Sequence, residues 1–223
     1  MKKKIAFVHN AMWEMYNFRG ELLQELKAKG YEITVICPPD EKNAHYFTDL
    51  GIKLLTVPMS RKGTNIKEDL QLVKNLFKVY KKEKFDLVFH YTIKPNIYGT
   101  LAAKLAGIKS IAITTGLGYV FLHNNITSLI AKFMYKFSLA FANEVWFLND
   151  DDMNIFLDKD LITERQAFKL PSEGINTKRF VPKEKSRKDN KTVFLMIARV
   201  LYDKGFNEYL EAAKLIKAQR NDV

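Results

Sequence analysis

The sequence predicts a doubly wound α/β fold: a parallel sheet with helices on both faces, followed by the start of a second Rossmann-like domain. Two observations predict it. Short apolar runs alternate with amphipathic stretches from Ile5 to Leu157. The alternation then halts at a charged, proline-bearing stretch and restarts at Val193. Strands that read as unbroken apolar runs are buried on both faces, and helical crossovers between them make a parallel sheet. Right-handed crossovers wind such a sheet outward from a central strand.

Each element follows in order. Ile5 to His9 is a short strand. Phe18, Leu22 and Leu26 mark a helical stripe that stops at Gly30, a residue suited to a left-handed C-cap. Ile33 to Cys37 is the second strand, closed by Pro38-Pro39, and Ile52 to Val57 is the third. The spacing of Ile66, Leu70, Val73, Phe77 and Tyr80 predicts a long helix. Phe85 to His90 is a strand, Asn96 to Ala106 a helix ended by Gly107, and Ser110 to Thr114 a strand. Ile126 to Phe141 is helical, Glu144 to Leu148 a strand and Asp150 to Leu157 a short helix. Phe180 to Lys191, with Pro182 and a crowd of charges, reads as a linker. Residues 1–185 are therefore expected to form one domain. Residues 186–223 are expected to hold the rest of the linker and the first strand and helix of an incomplete second domain, its helix face (Phe206, Leu210, Ala213, Ile216) left exposed.

Composition narrows the function. The 47% hydrophobic and 27% charged shares are those of a globular domain. Net charge is +11, from 36 Lys plus Arg against 25 Asp plus Glu. That excess predicts attraction to anionic lipid or phosphorylated ligands. Most of it is lysine, a point charge rather than a base-reading fork, and no arginine-rich stripe or nucleic-acid motif is present, so nucleic acid is set aside. The single cysteine, Cys37, sits in an apolar strand and reads as a packed thiol; it excludes an internal disulfide and a cysteine-pair zinc site. The apolar run after Met-Lys-Lys-Lys is too short for a signal peptide, and no stretch reaches the ~18 apolar residues of a spanning helix. The expected location is cytoplasmic, peripheral on the inner face of the membrane.

Ligands of such sheets bind beyond the carboxyl ends of the strands. The loop from His9 to Arg19 lacks the Gly-x-Gly-x-x-Gly fingerprint, which argues against dinucleotide binding. Arg19 near the helix start is either a solvated residue or an anion contact. In His90-Tyr91-Thr92-Ile93-Lys94-Pro95-Asn96, Lys94 and the following helix N-terminus are candidates for a phosphate. Asn96 is equally a plain N-cap, and His90 is a packed or a solvated imidazole if it does not meet the ligand. Gly116 and Gly118, two apart, let a backbone approach a ligand or make a simple turn. Asn149-Asp150-Asp151-Asp152 invites a metal reading, yet carboxylates in a first helical turn favour the helix dipole, and capping is preferred. Arg199, after the apolar run, and Lys204, before a helix, put two cations where open α/β sheets take anions. The stripe Ile126, Leu129, Ile130, Phe133, Met134, Phe137, Ala140 and Phe141, opposite Lys132, Tyr135 and Lys136, either packs on the sheet or lies in a membrane interface, where the helix lysines from Lys67 to Lys84 would enlarge a basic patch.

Four motifs together resemble bacterial family 4 retaining glycosyltransferases: Tyr91-Thr92-Ile93-Lys94-Pro95-Asn96-Ile97-Tyr98-Gly99, Thr115-Gly116-Leu117-Gly118, Glu173-Gly174-Ile175-Asn176-Thr177-Lys178-Arg179-Phe180, and Ile197-Ala198-Arg199 with Lys204-Gly205. The branch most similar extends polyprenyl-diphosphate-linked sugars. The resemblance implies a GT-B fold, two Rossmann-like domains across a cleft, the first for the acceptor and the second for a UDP-sugar. It implies no cofactor and no metal. Arg199 and Lys204 would hold the donor diphosphate; Arg19, Thr92, Lys94 and Asn96 would serve the acceptor; Gly116 and Gly118 would line the cleft. The implied partners are a UDP-sugar, a polyprenyl-diphosphate-linked glycan and an anionic membrane surface. The family's paired glutamates, which hold the donor sugar, are expected beyond Val223, so the catalytic carboxylates are unknown and the chain alone is expected to be inactive. Two alternatives remain: a sugar-nucleotide epimerase of the same fold, and a non-catalytic glycolipid-binding module at the membrane.

Overall fold

The structure is a computed structural model and describes residues 2–60, 63, 65–117, 121, 125–182 and 191–223. The chain forms two compact units, Met1–Gly174 and Ile175–Val223.

The first unit is a seven-stranded sheet: β1 Lys4–Val8, β2 Glu32–Cys37, β3 Lys53–Thr56, β4 Leu87–Tyr91, β5 Lys109–Thr114, β6 Glu144–Phe147 and β7 Ala167–Lys169. Its order is β3-β2-β1-β4-β5-β6-β7, with every neighbouring pair parallel. The chain starts in the middle, runs outward through β2 and β3, then returns to lay β4 against the other side of β1. The topological switch point therefore lies between β1 and β4, where such sheets open a crevice for ligands. Register puts Val8 opposite His90, so His9 and Tyr91 leave the sheet side by side at that crevice.

Side chains alternate across the sheet. Phe7, Val35 and Cys37 pack on one face with Met15, Leu23 and Phe47, while Ala6, Val8 and Ile36 face Leu72, Leu76 and Tyr80 on the other. Ala112, Val145 and Phe147 pack with Tyr135, Leu139 and Phe156. The helices that supply these contacts are α1 Met12–Ala28, α2 Glu41–Asp49, α3 Ile66–Glu83, a π-helical turn Pro95–Gly99 that runs into α4 Thr100–Ala106, α5 Ile126–Leu139 and α6 Asp150–Asp158. α2 and β7 were not read from the sequence.

Three stripes lie differently from their sequence reading. In α1 the buried side is Met12, Met15, Arg19, Gly20 and Leu23, while Phe18 and Leu22 are exposed. In α3 it is Asp69, Leu72, Leu76 and Tyr80, with Ile66 and Leu70 outside. A charged residue stands on the buried side of each of these two helices because it has a partner there, so apolar counting rotates the helix partway: Leu26, Val73, Phe77 and Tyr80 still meet the core. In α5 the inner residues are Ser128, Tyr135, Ser138 and Leu139, and Ile126, Leu129, Ile130, Phe133 and Phe137 face outward, as does Phe141 just past its end.

The second unit holds a short 3-10 turn Tyr202–Lys204 and α7 Phe206–Gln219. Val193 to Ala198 is not a strand. A strand needs a pairing neighbour, and none lies beside this run among the described residues; the run instead meets α7 where the Tyr209 hydroxyl donates to the Phe194 carbonyl at 2.9 Å. No described residue of α7 is fully buried: Leu210 and Leu215 are exposed, while Phe206, Ala213 and Ile216 are half-buried.

Candidate functional site

The carboxyl ends of β1, β4 and β5 gather the polar residues. α1 starts just past β1, so Arg19, two turns in, points back over the crevice. It is buried, its guanidinium 4.5 Å from the centre of the Tyr91 ring, and it forms an ion pair with Glu173. Its Nε has no hydrogen-bond partner among the described residues. Burial pushes the Tyr91 hydroxyl up to about 12, against the pull of Arg19. His9 is buried beside it, with Nδ1 accepting from the Ala11 N–H at 2.9 Å and Nε2 3.8 Å from the Glu14 carboxylate.

Lys94 lies in a second polar cluster. Its ammonium donates to Asp69 at 2.6 Å and to Ser60 at 2.7 Å, and the other Asp69 oxygen accepts from the Tyr98 hydroxyl at 2.8 Å. Lysine and aspartate are both buried. An ammonium has three N–H donors, and two are committed here. A cavity of about 410 Å³ opens beside this cluster, lined in part by Met59, Ser60, Lys67, Asp69 and Asn75.

Asn96 is not the expected N-cap. It sits inside the π turn, donates to the Ile113 carbonyl at 3.0 Å, and its Oδ1 has no partner among the described residues. Thr92 takes a φ of +71°, a strained setting for a β-branched residue. Its buried Oγ1 also lacks a partner among the described residues, as does that of Thr114. Tyr91 pairs in register with Ile113, so Thr92 and Thr114 follow at adjacent strand ends. Buried polar atoms without partners are costly, and each calls for a partner such as a water, an ion or a ligand.

His90 is the packed imidazole of the two readings. Tyr80 Oη lies 2.9 Å from Nε2 and Thr100 Oγ1 3.3 Å from Nδ1, and burial lowers its pKa to about 3. Gly99 is required against it, since a Cβ there would sit 2.5 Å from the ring. The Cys37 thiol is pushed up to about 12 by burial and is inert at neutral pH. In α6 the Asn149 side chain caps the helix by accepting from the Asp152 N–H at 2.7 Å, and Asp150 pairs with Lys169.

Gly116 has a φ of +144° and open space where a Cβ would be; Gly118 lies outside the described residues. In the second unit Arg199 is exposed after the apolar run, and Lys204 is exposed at the end of the 3-10 turn, before α7. The residues that sequence reasoning missed are Tyr91, Glu173, Asp69 and Thr114. Glu173 stood within a quoted motif, but its partner is 154 residues away in sequence, and nothing local signals that pairing.

Comparison with known proteins gives the family. The first curated relative is the N,N'-diacetylbacillosaminyl-diphospho-undecaprenol alpha-1,3-N-acetylgalactosaminyltransferase of Campylobacter jejuni, 32% identical over 99% of this chain and 62% of its own length. A UDP-Gal:alpha-D-GlcNAc-diphosphoundecaprenol alpha-1,3-galactosyltransferase of Escherichia coli is 26% identical over 83% of this chain and 50% of its own length. The chain thus spans about half to three-fifths of the curated relatives it matches. A solved glycosyltransferase from Rickettsia africae shares the fold, with a TM-score of 0.66 at 19% identity, over 97% of this chain and 58% of that one. Residues 4–149, most of the first unit, match the family model described as Glycosyl transferase 4-like. The chain belongs to the Glycosyl transferase 4-like family.

Proposed function

We propose that this chain is the acceptor-binding part, and the beginning of the donor part, of a retaining glycosyltransferase that moves a sugar from a UDP-sugar to a polyprenyl-diphosphate-linked glycan. The observation that carries the reading is that both curated relatives, by their names, act on diphosphoundecaprenol-linked acceptors, and the first matches nearly the whole chain. The name of the second also gives a UDP-sugar donor. The products are part of cell-surface or glycoprotein glycan assembly.

The first unit, with the chain up to about 185, serves the acceptor. Arg19 answers its phosphate charge, and Thr92 and Asn96 offer neutral hydrogen bonds to the adjoining sugar. Lys94 has one N–H left for the acceptor while Asp69 holds it in place. Gly116, with open space where a Cβ would be, allows a close approach of the acceptor to the backbone. Arg199 and Lys204, in residues 186–223, take the donor diphosphate, where preplaced cations stabilise the charge that grows on the leaving group. No cofactor enters this scheme.

The protein works at the inner face of the membrane, docked by α5. Ile126, Leu129, Ile130, Phe133 and Phe137 form an outward apolar face, with Lys132 and Lys136 on the same helix. No helix among the described residues is long and apolar enough to cross a membrane. An in-plane amphipathic helix joins apolar insertion to attraction for anionic lipid.

The test is transfer of radiolabelled sugar from UDP-sugars to polyprenyl-diphosphate-linked glycans. It uses residues 1–223 followed by a complete donor domain, hereafter the completed enzyme. Transfer that requires the lipid-linked acceptor is expected. Release of UDP or free sugar without acceptor would replace this reading with the epimerase.

A further inference from the structure

The two buried cations of the first unit are held differently. Lys94 and Asp69 are both closed off, with side chains 9% and 8% exposed. Arg19 is 5% exposed, but its partner Glu173 is 25% exposed. A carboxylate that solvent reaches covers a guanidinium that solvent does not.

The pairing also leaves the guanidinium underused. A guanidinium presents five N–H donors in a planar fork matched to carboxylate and phosphate. The Glu173 contact runs from the terminal nitrogen Nη2, and the buried Nε has no partner among the described residues. The Tyr91 ring lies against the guanidinium and restrains its orientation. A ligand with more oxygens than one carboxylate would satisfy donors that Glu173 does not.

Glu173 is placed to leave. It is the penultimate residue of the first unit, in a short turn where the Ser172 hydroxyl accepts from the Gly174 N–H at 2.9 Å and Gly174 takes a φ of +78°. Its backbone belongs to no strand or helix. A carboxylate that solvent reaches makes a weaker ion pair than one closed off, and so exchanges more readily.

We propose that Glu173 is an internal stand-in for an anionic ligand, and that a phosphate or diphosphate group takes Arg19 from it on binding. The contact is then autoinhibitory: the site is closed by its own chain until a group with more charge and more acceptor oxygens displaces the carboxylate. The chemistry is shared by a lipid-linked diphosphate and by the diphosphate of a nucleotide. The crevice between β1 and β4, in the unit read as the acceptor half, favours the lipid-linked one.

Calorimetric titration of the full chain with inorganic diphosphate reads the exchange. Glu173→Gln keeps the size and removes the competing charge. It is expected to tighten binding about tenfold, since the open state is no longer a small fraction of the population. Adding Arg19→Gln is expected to abolish that gain. Arg19→Lys, which keeps a charge without the fork, should lose most of it and serves if Arg19→Gln fails to fold. Geranyl diphosphate is expected to share the gain and UDP is not. Equal affinity of wild type and Glu173→Gln for inorganic diphosphate would overturn the exchange, as would a gain that survives Arg19→Gln or one confined to UDP. The proposal rests on Arg19 as an acceptor residue, yet the two fail separately. An Arg19-dependent gain, combined with unchanged transfer by Arg19→Gln in the completed enzyme, would overturn the acceptor role and leave the exchange standing.

Discussion

In the first unit, Arg19 and Lys94 are 5% and 8% exposed, and each faces a carboxylate brought from far along the chain. In the second, Arg199 and Lys204 stand exposed beside a helix with no fully buried described residue. The same residue types therefore carry different burdens. Where both members of a pair are closed off, as Lys94 and Asp69 are, removing one strands a charge in a medium that solvates it poorly. An exposed cation is solvated either way, so removing it costs the fold little. A binding role for Lys94 would be entangled with folding; one for Arg199 or Lys204 would be separable from it.

Acid should show the largest difference. His90 is neutral in the folded first unit, its pKa lowered by burial from about 6.5 to about 3. The unfolded chain takes up a proton below about 6.5 and the folded one does not. This contribution to stability is therefore fully present above that pH and is lost progressively as pH falls toward 3. At ~1.4 kcal/mol per pH unit the loss is on the order of 5 kcal/mol. Urea melts of the first unit should fall steeply across this window, and His90→Gln should flatten the slope. A melt midpoint that stays level from pH 7 to 4 would contradict the assignment of His90 as buried and neutral.

Next is the buried pair. Lys94→Ala removes the ammonium from the buried Asp69, leaving it the Tyr98 hydroxyl, and should cost about 3–5 kcal/mol. Replacing both residues together, Lys94→Met with Asp69→Leu, should recover much of that. A thermal melt of Lys94→Ala within 1 kcal/mol (roughly the range of an exposed pair) would break the comparison between the units.

The exposed side gives the mirror image. In the completed enzyme, Lys204→Ala should reduce transfer by ~100- to 1000-fold, the loss of ~3–4 kcal/mol of stabilisation for the departing diphosphate. The melting temperature should hardly move. Near-normal transfer would remove the donor assignment. A large loss of stability would show that Lys204 is a structural residue after all.

The same contrast explains what the sequence could show. Most strands of the sheet were legible because each is an apolar run between turn residues, and β5 was placed within a residue. Val193 to Ala198 carries the same signal and makes no strand, since a run of this kind states readiness to pair and says nothing of a neighbour. β7, only Ala167–Lys169, is too short to stand out. Apolar counting misjudged α1 and α3 because Arg19 and Asp69 belong to their buried sides. Arg19, Lys94 and Asn96 were nonetheless legible as candidates, since ligands of such sheets bind beyond the ends of strands. Their partners Glu173 and Asp69 were not, because long-range pairing leaves no trace in local pattern.

The smallest effect concerns the surface where the first unit gives up burial. α5 turns Phe133 and Phe137 outward at 68% and 51% exposure. An exposed apolar face is costly in water, and the proposed role for this one is membrane docking. α7 also exposes Leu210 and Leu215, so vesicle binding must be traced to one helix or the other. Lysine near an anionic surface contributes about 1 kcal/mol, screened by salt. Lys132→Gln with Lys136→Gln should therefore weaken binding to anionic vesicles by about 2 kcal/mol, ~30-fold, with little change on neutral ones. Phe133→Ser with Phe137→Ser should weaken binding to both kinds, because insertion depends on apolar area whatever the headgroup. Co-sedimentation at rising salt separates the two contributions. If Leu210→Ser with Leu215→Ser abolishes binding while the α5 variants keep it, the membrane face belongs to the second unit, and the outward stripe of α5 must cover some other partner.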